Sequence, residues 1–414
     1  MRRLAFLLAT VVLTGGVPAS GQEQATSEDT RTAIQALLDT RTQAMRDGDL
    51  AGFLATIDPD QPQFVIRQRL LFQGFQRLGL SEYELSIGNV VEELTTNREV
   101  KEYGAEAAPA VYHVEERYQI AGFDPRPTVA DLFLTFVRTG DGWRIAADDD
   151  LEDAALLSER PLWSFGPIVT KRSRHFLFVS HPDLATAADS VLSAAEQALE
   201  LADARWPLPW RRRVVVFAPS TSEELISVIQ AAFDPSAFVA FAVASTDRSD
   251  GWRLVGPRIV VHWPNFAGHS QASRISILTH ELAHIAARQL AGPFTPTFVD
   301  EGVAEWVRGV RSLGALPALV HVGAFDRQLP QDFEFYIGSL TEITTIYDEA
   351  SSAIGYAVDR FGIDAVADFY RRLGRARLAP GTWRYHVDRA MRSVLGISFS
   401  VFERQWASWI QEAA

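Results

Sequence analysis

Apolar positions first recur at helical spacing: Ala33, Ile34, Leu37, Leu38 and Met45 share one face of a stretch predicted as helix over residues 30–47, with Gly48 as its stop. The polar residues 22–28 read as a flexible start. A second, short helix is expected over 50–57, ahead of Pro59. The period then drops to two. Tyr83-x-Leu85-x-Ile87, Tyr112-x-Val114-x-x-x-Tyr118-x-Ile120 and residues 131–138 alternate as half-buried strands do, and Thr139-Gly140-Asp141-Gly142 turns the last of them into Trp143-Arg144-Ile145-Ala146 as a hairpin. Beyond Pro161, strands predicted at 175–180, 213–217, 238–244 and 258–263 alternate with helices, one over 184–202 and one opened by Ser220 or Thr221, each with a glutamate three residues on. The strand at 258–263 is expected at a sheet edge, open to an added peptide strand. Ile275, Ile277, Leu278, Leu282 and Ile285 then give a helical face that Gly292 and Pro293 end, and the spacing stays helical to the C-terminus. The pattern predicts an α+β chain.

Length and composition divide and place this pattern. At 414 residues the chain can bury two cores, and 47% hydrophobic with 22% charged residues is ordinary globular composition. The acidic run Asp148-Asp149-Asp150, Glu152-Asp153 marks an expected boundary between domains at 28–150 and 160–414. The net charge of −13, with no basic stripe, argues against nucleic acid as a partner. Residues 1–21 read as an export signal: Arg2 and Arg3, an apolar run over 4–13, then Val17-Pro18-Ala19 as a small-residue context for cleavage near 19–21. That run is too short for a span of about 20 residues, and no other stretch is long and apolar enough to be one. An exported location follows. The absence of cysteine excludes disulfides and a thiol nucleophile.

The chemistry concentrates at residues 280–284, His-Glu-Leu-Ala-His, and at Asp300-Glu301-Gly302-Val303-Ala304-Glu305. On a helix, residues four apart share a face, so His280 and His284 can aim two imidazoles at one point. A catalytic zinc takes three protein ligands and keeps a fourth position open. Glu301 is the expected third ligand. Glu281, at the edge of the metal-facing stripe, is placed to take a proton from water as general base. No Gly-x-Ser-x-Gly elbow offers a serine alternative. Glu305, four residues after Glu301, is expected behind a zinc histidine, His280, with Asp300 its competitor. His262, His269 and His321 lie nearby in sequence and read as structural or solvated.

These two motifs resemble the gluzincin metallopeptidases, in particular their peptidase-MA-like branch, although Pro296-Thr297-Phe298 carries Phe where that branch has Trp. The resemblance is sharp over 277–306 and softer over 160–414. The run from Tyr347 to Phe361-Gly362 is similar to the family's Tyr-led helix, and Leu395-Gly396-Ile397 to Trp406 to its C-terminal helix. It implies His280, His284 and Glu301 as zinc ligands, Glu281 as base, and Tyr347 as a donor to the oxyanion, with Tyr356 the weaker candidate. It also implies a zincin-like domain built of a mixed-sheet subdomain and a helical C-terminal subdomain. Residues 28–150, helices followed by a meander, resemble the nuclear-transport-factor-2-like cone fold, a scaffold of many functions.

The combined expectation is an exported zinc metallopeptidase acting on a peptide or protein substrate. An endopeptidase is favoured, since the Gly-x-Met-Glu-Asn segment of the clan's aminopeptidases is absent. The alternatives are a zinc-containing protein without turnover, and a ligand-binding N-terminal domain that regulates the other half.

Overall fold

The computed structural model describes residues 21–88, 94–231, 234–247, 253–292, 295–374 and 383–414. The expected signal segment, but for Gly21, and Pro293 lie outside them. No described helix is long and apolar enough to cross a membrane. The fold is mixed α+β.

Helices α1 (Gly21–Asp47), α2 (Leu50–Leu54) and α3 (Pro62–Leu78) precede β1 (Leu80–Ile87). The first helix starts well before residue 30, because Gln22, Glu23, Gln24 and Ala25 are good helix formers and polarity alone does not break a helix. It stops at Gly48, whose φ of 70° suits glycine. After α4 (Asn97–Tyr103) come β2 (Ala110–Ile120), β3 (Thr128–Thr139) and β4 (Gly142–Ala147), and the four strands form an antiparallel meander in chain order.

The second sheet contains β5 (Val169–Arg172), β6 (Phe176–Ser180), β7 (Val214–Ala218), β8 (Ala240–Asp247) and β9 (Arg253–Val261) in the order β5-β6-β7-β9-β8. Strands β6, β7 and β9 are parallel, and the outer two run antiparallel. The expected edge strand at 258–263 is therefore wrong. Strand β9 lies inside, because it pairs with β7 on one side while β8 folds back on it as a hairpin; β8 is the edge. Helices α5 (Ala188–Arg205) and α6 (Ser222–Ile229) connect these strands, and α6 is capped by Thr221, which accepts from Glu224 N at 3.2 Å. The remaining elements are helical: α7 (Trp263–Phe266), α8 (Gln271–Arg288), α9 (Thr297–Arg308), α10 (Leu316–His321), α11 (Leu340–Phe361), α12 (Ile363–Gly374), α13 (Trp383–Val394) and α14 (Phe399–Ala413).

Strands β6 and β7 are buried throughout, which accounts for their unbroken apolar runs. Their alternate residues serve two cores. Phe176, Phe178, Val214 and Val216 face α5 and α8, whereas Leu177, Val179, Val215 and Phe217 join Phe53, Phe75, Tyr83 and Trp163 of the N-terminal region. The two halves of the chain thus share a core across this sheet. Two ion pairs add to the joint. Arg258 on β9 holds Asp124 at 2.5 and 2.7 Å with both groups buried, and Arg117 on β2 reaches Asp247 on β8 at 3.1 Å. Two acids of the acidic run turn inward. Asp148 pairs with Arg67 at 2.9 Å and Arg160 at 3.1 Å, and Asp150 accepts from Tyr103 and Thr135.

Candidate metal centre

Helix α8 begins at Ser270, whose hydroxyl accepts from Ser273 N at 3.2 Å. Leu278, Leu282 and Ile285 bury its inner face. One turn separates His280 from His284. Their Nε2 atoms stand 3.1 Å apart, and Glu301 Oε2 on α9 lies 3.3 Å from the first and 3.2 Å from the second. Helix α9 is held by Asp332 Oδ1, which accepts from Thr297 N at 2.8 Å, and by close packing on α11. A Cβ at Gly302 would meet Ala350 O at 2.3 Å, so glycine beside Glu301 lets the two helices approach.

The three donor atoms therefore form a nearly equilateral triangle. Ligands about 2.0–2.1 Å from a tetrahedral ion lie roughly 3.3 Å from one another, so these residues fit one. Glu301 Oε2 is buried and has no hydrogen-bond partner, as an atom reserved for a cation would be. His280, His284 and Glu301 form a buried group that can hold a metal ion.

A separate carboxylate stands near the Nδ1 side of each histidine. Glu305 Oε1 is 2.9 Å from His280 Nδ1, while Asp300 Oδ1 is 3.4 Å from His284 Nδ1. The competition posed from sequence thus resolves into two separate places. Two further residues escaped the sequence reading. Arg288 donates to Asp300 Oδ2 at 2.8 Å, and Tyr370 donates to Asp300 Oδ1 at 2.7 Å. The signal for Arg288 was its place one turn after His284 on the same helix face; Tyr370 carried none. Arg308 in turn pairs with Glu305 at 2.5 Å.

The electrostatics call for positive charge at the centre. Burial alone would raise the Glu301 carboxyl, but His284 and His280 hold it well below the usual range. Asp300 is likewise lowered against its burial, by Arg288 and His284. Burial would lower the His280 imidazole, yet Glu301 and Glu305 push it up to about 10.

Glu281 is buried on the same helix, close enough for its charge to act on His280 and on Tyr347. Tyr347 sits on α11 with its ring edge-on to Phe335 at 5.4 Å. Its phenol is pushed well up, first by burial and then by Glu301, Glu281 and Glu305, which puts it in the electrostatic neighbourhood of all three. It does not head its helix as expected. The capping box of Ser339 and Glu342, unnoticed in the sequence, starts α11 at Leu340. Tyr356 is elsewhere. Nine residues are about two and a half turns, so it faces the opposite way, donating to Gln405 at 3.3 Å and packing on Phe402. His262 and His269 contact Phe238 O and Ser273, and His321 is exposed; none joins the cluster.

No protein-family model matches this chain, and no curated protein matches it.

Proposed function

We propose that the protein is an exported zinc metallopeptidase of gluzincin type, with endopeptidase action favoured, in which His280, His284 and Glu301 hold the ion and a nuclear-transport-factor-2-like region precedes the zincin-like part. The observation that carries this reading is the triangle of donor atoms on one helical turn and a crossing helix, with Glu281 beside it. Two imidazoles and one carboxylate with a carboxylate base nearby is the donor set of zinc hydrolases. Bound zinc would supply an acidified water and a polarised carbonyl. Glu281 would take the proton of the attacking water and deliver it to the leaving amine. Glu305 and Asp300 would fix the imidazoles through their Nδ1 atoms, and Arg288 and Tyr370 would hold Asp300 in turn. Strand β8, the edge of the second sheet, is where an extended substrate would add, at main-chain groups other than Ala242 O, which accepts from Arg288 at 2.7 Å.

Cleavage of a peptide library that a chelator abolishes is the test of this reading. Tyr347 makes a narrower one. A donor to the oxyanion acts in the transition state, so Tyr347→Phe is expected to lower kcat by on the order of 10²–10³ with KM nearly unchanged. Tyr356→Phe should turn over normally. Steady-state kinetics on one peptide would decide it; exchanged behaviour of the two variants contradicts the assignment.

A further inference from the structure

Next to the metal centre lies a cavity of about 260 Å³ whose lining includes His284 and Arg288 of α8 and residues 242–244 of the edge strand. Its character is unlike that of the chain. The protein has 52 acidic residues against 39 basic ones, yet four of the residues lining this cavity are arginines and, among the described residues, none is acidic. The lining also includes apolar Val255 and Pro257 of β9. Arg288 is committed to Asp300, and the other arginines of the lining are exposed: Arg126 from the β2–β3 connection, and Arg211 and Arg213 from the approach to β7.

The three consecutive arginines 211–213 divide by the alternation of an extended chain. The middle one, Arg212, pairs with Asp203 at 2.5 Å. Its neighbours both line the cavity, and neither makes an ion pair among the described residues. Arg213 also lies 5.9 Å over the Phe123 ring, which restrains it where it stands. Arg211 and Arg213, two guanidinium groups with no ion pair among the described residues, thus line one cavity together with apolar side chains and His284, a set that can receive a carboxylate.

We propose that this cavity is a carboxylate subsite, which takes an acidic side chain or the C-terminal carboxylate of the peptide presented to the metal centre. The proposal rests on the peptidase reading for the identity of its ligand, although the anion site itself does not. It makes the enzyme selective for acidic or C-terminal segments, and the local positive field steers such peptides to a protein that is otherwise anionic.

The test uses the full chain with Glu281→Gln, so that binding is read without turnover. Four dye-labelled versions of one short peptide, with Glu or Gln at one position and a free or amidated C-terminus, are titrated by fluorescence anisotropy. At least one carboxylate-bearing peptide is expected to bind about tenfold tighter than its neutral twin, the size expected of two solvent-reached ion pairs. The Glu/Gln pair reports a side-chain source and the acid/amide pair a C-terminal one. The preference should shrink in about 0.5 M salt, and it should collapse in Arg211→Gln/Arg213→Gln, two exposed positions that the core does not use. Equal binding of all four peptides, or a preference that survives the double substitution, overturns the proposal. The outcomes separate the two readings. Cleavage by the wild-type protein with equal binding sinks the subsite alone, whereas a carboxylate preference without any cleavage sinks the peptidase reading alone.

Discussion

Glu281→Gln is expected to leave the fold and the bound zinc in place and to lower turnover by on the order of 10²–10⁴, the usual contribution of a positioned general base. The amide is nearly isosteric with the carboxylate but cannot accept a proton from water. Glu281 supplies none of the three donor atoms of the triangle, so metal content should stay at about one zinc per chain, as for a single three-ligand site. The diagnostic is a divergence: metal analysis unchanged, peptide hydrolysis nearly gone. Wild-type hydrolysis by this variant would remove Glu281 from the mechanism.

Removing a ligand should do the reverse. In Glu301→Ala or His284→Ala, the triangle loses a corner, and two donors do not make a catalytic zinc site. Zinc content after dialysis is expected to fall from about one per chain to near zero, and activity with it. His284→Ala has a second consequence, because Asp300 would keep Arg288 and Tyr370 but lose the imidazole on its other side. If Glu301→Ala kept its zinc, Glu305, 2.9 Å from His280 Nδ1, would be the acid that had taken its place.

The legible parts of this chain were those fixed by local periodicity. The meander was readable because each strand alternates and the last two share a short turn with Gly140 and Gly142. The two motifs of the centre were readable because one helical turn separates the histidines. Helix α3 was missed although Phe64, Phe72, Phe75 and Leu78 stripe its buried face; Gln68, to which Arg41 donates, interrupts that stripe. Helix α4 buries only Glu99, which serves its own capping box, so it showed no apolar stripe. The strand order that moves β9 inside depends on pairing between distant segments. So does the use of alternate β6 and β7 residues in two cores, which no pattern within either strand declares. At the centre the same division holds. His280, Glu281, His284, Glu301 and Glu305 lie within two helices and could be named in advance, whereas Tyr370, from a third helix, enters only when α12 packs against Asp300. The arginine-lined cavity gathers residues from positions 125 to 289 and has no local signature at all.

The most direct test of the central claim is a zinc titration of chelator-stripped wild-type protein, read by hydrolysis of an internally quenched peptide library. With His280, His284 and Glu301 holding one ion, no cleavage is expected before zinc is added, then a rise that saturates near one equivalent per chain. Cleavage by the stripped protein, or none at any zinc concentration with the fold intact, would contradict it.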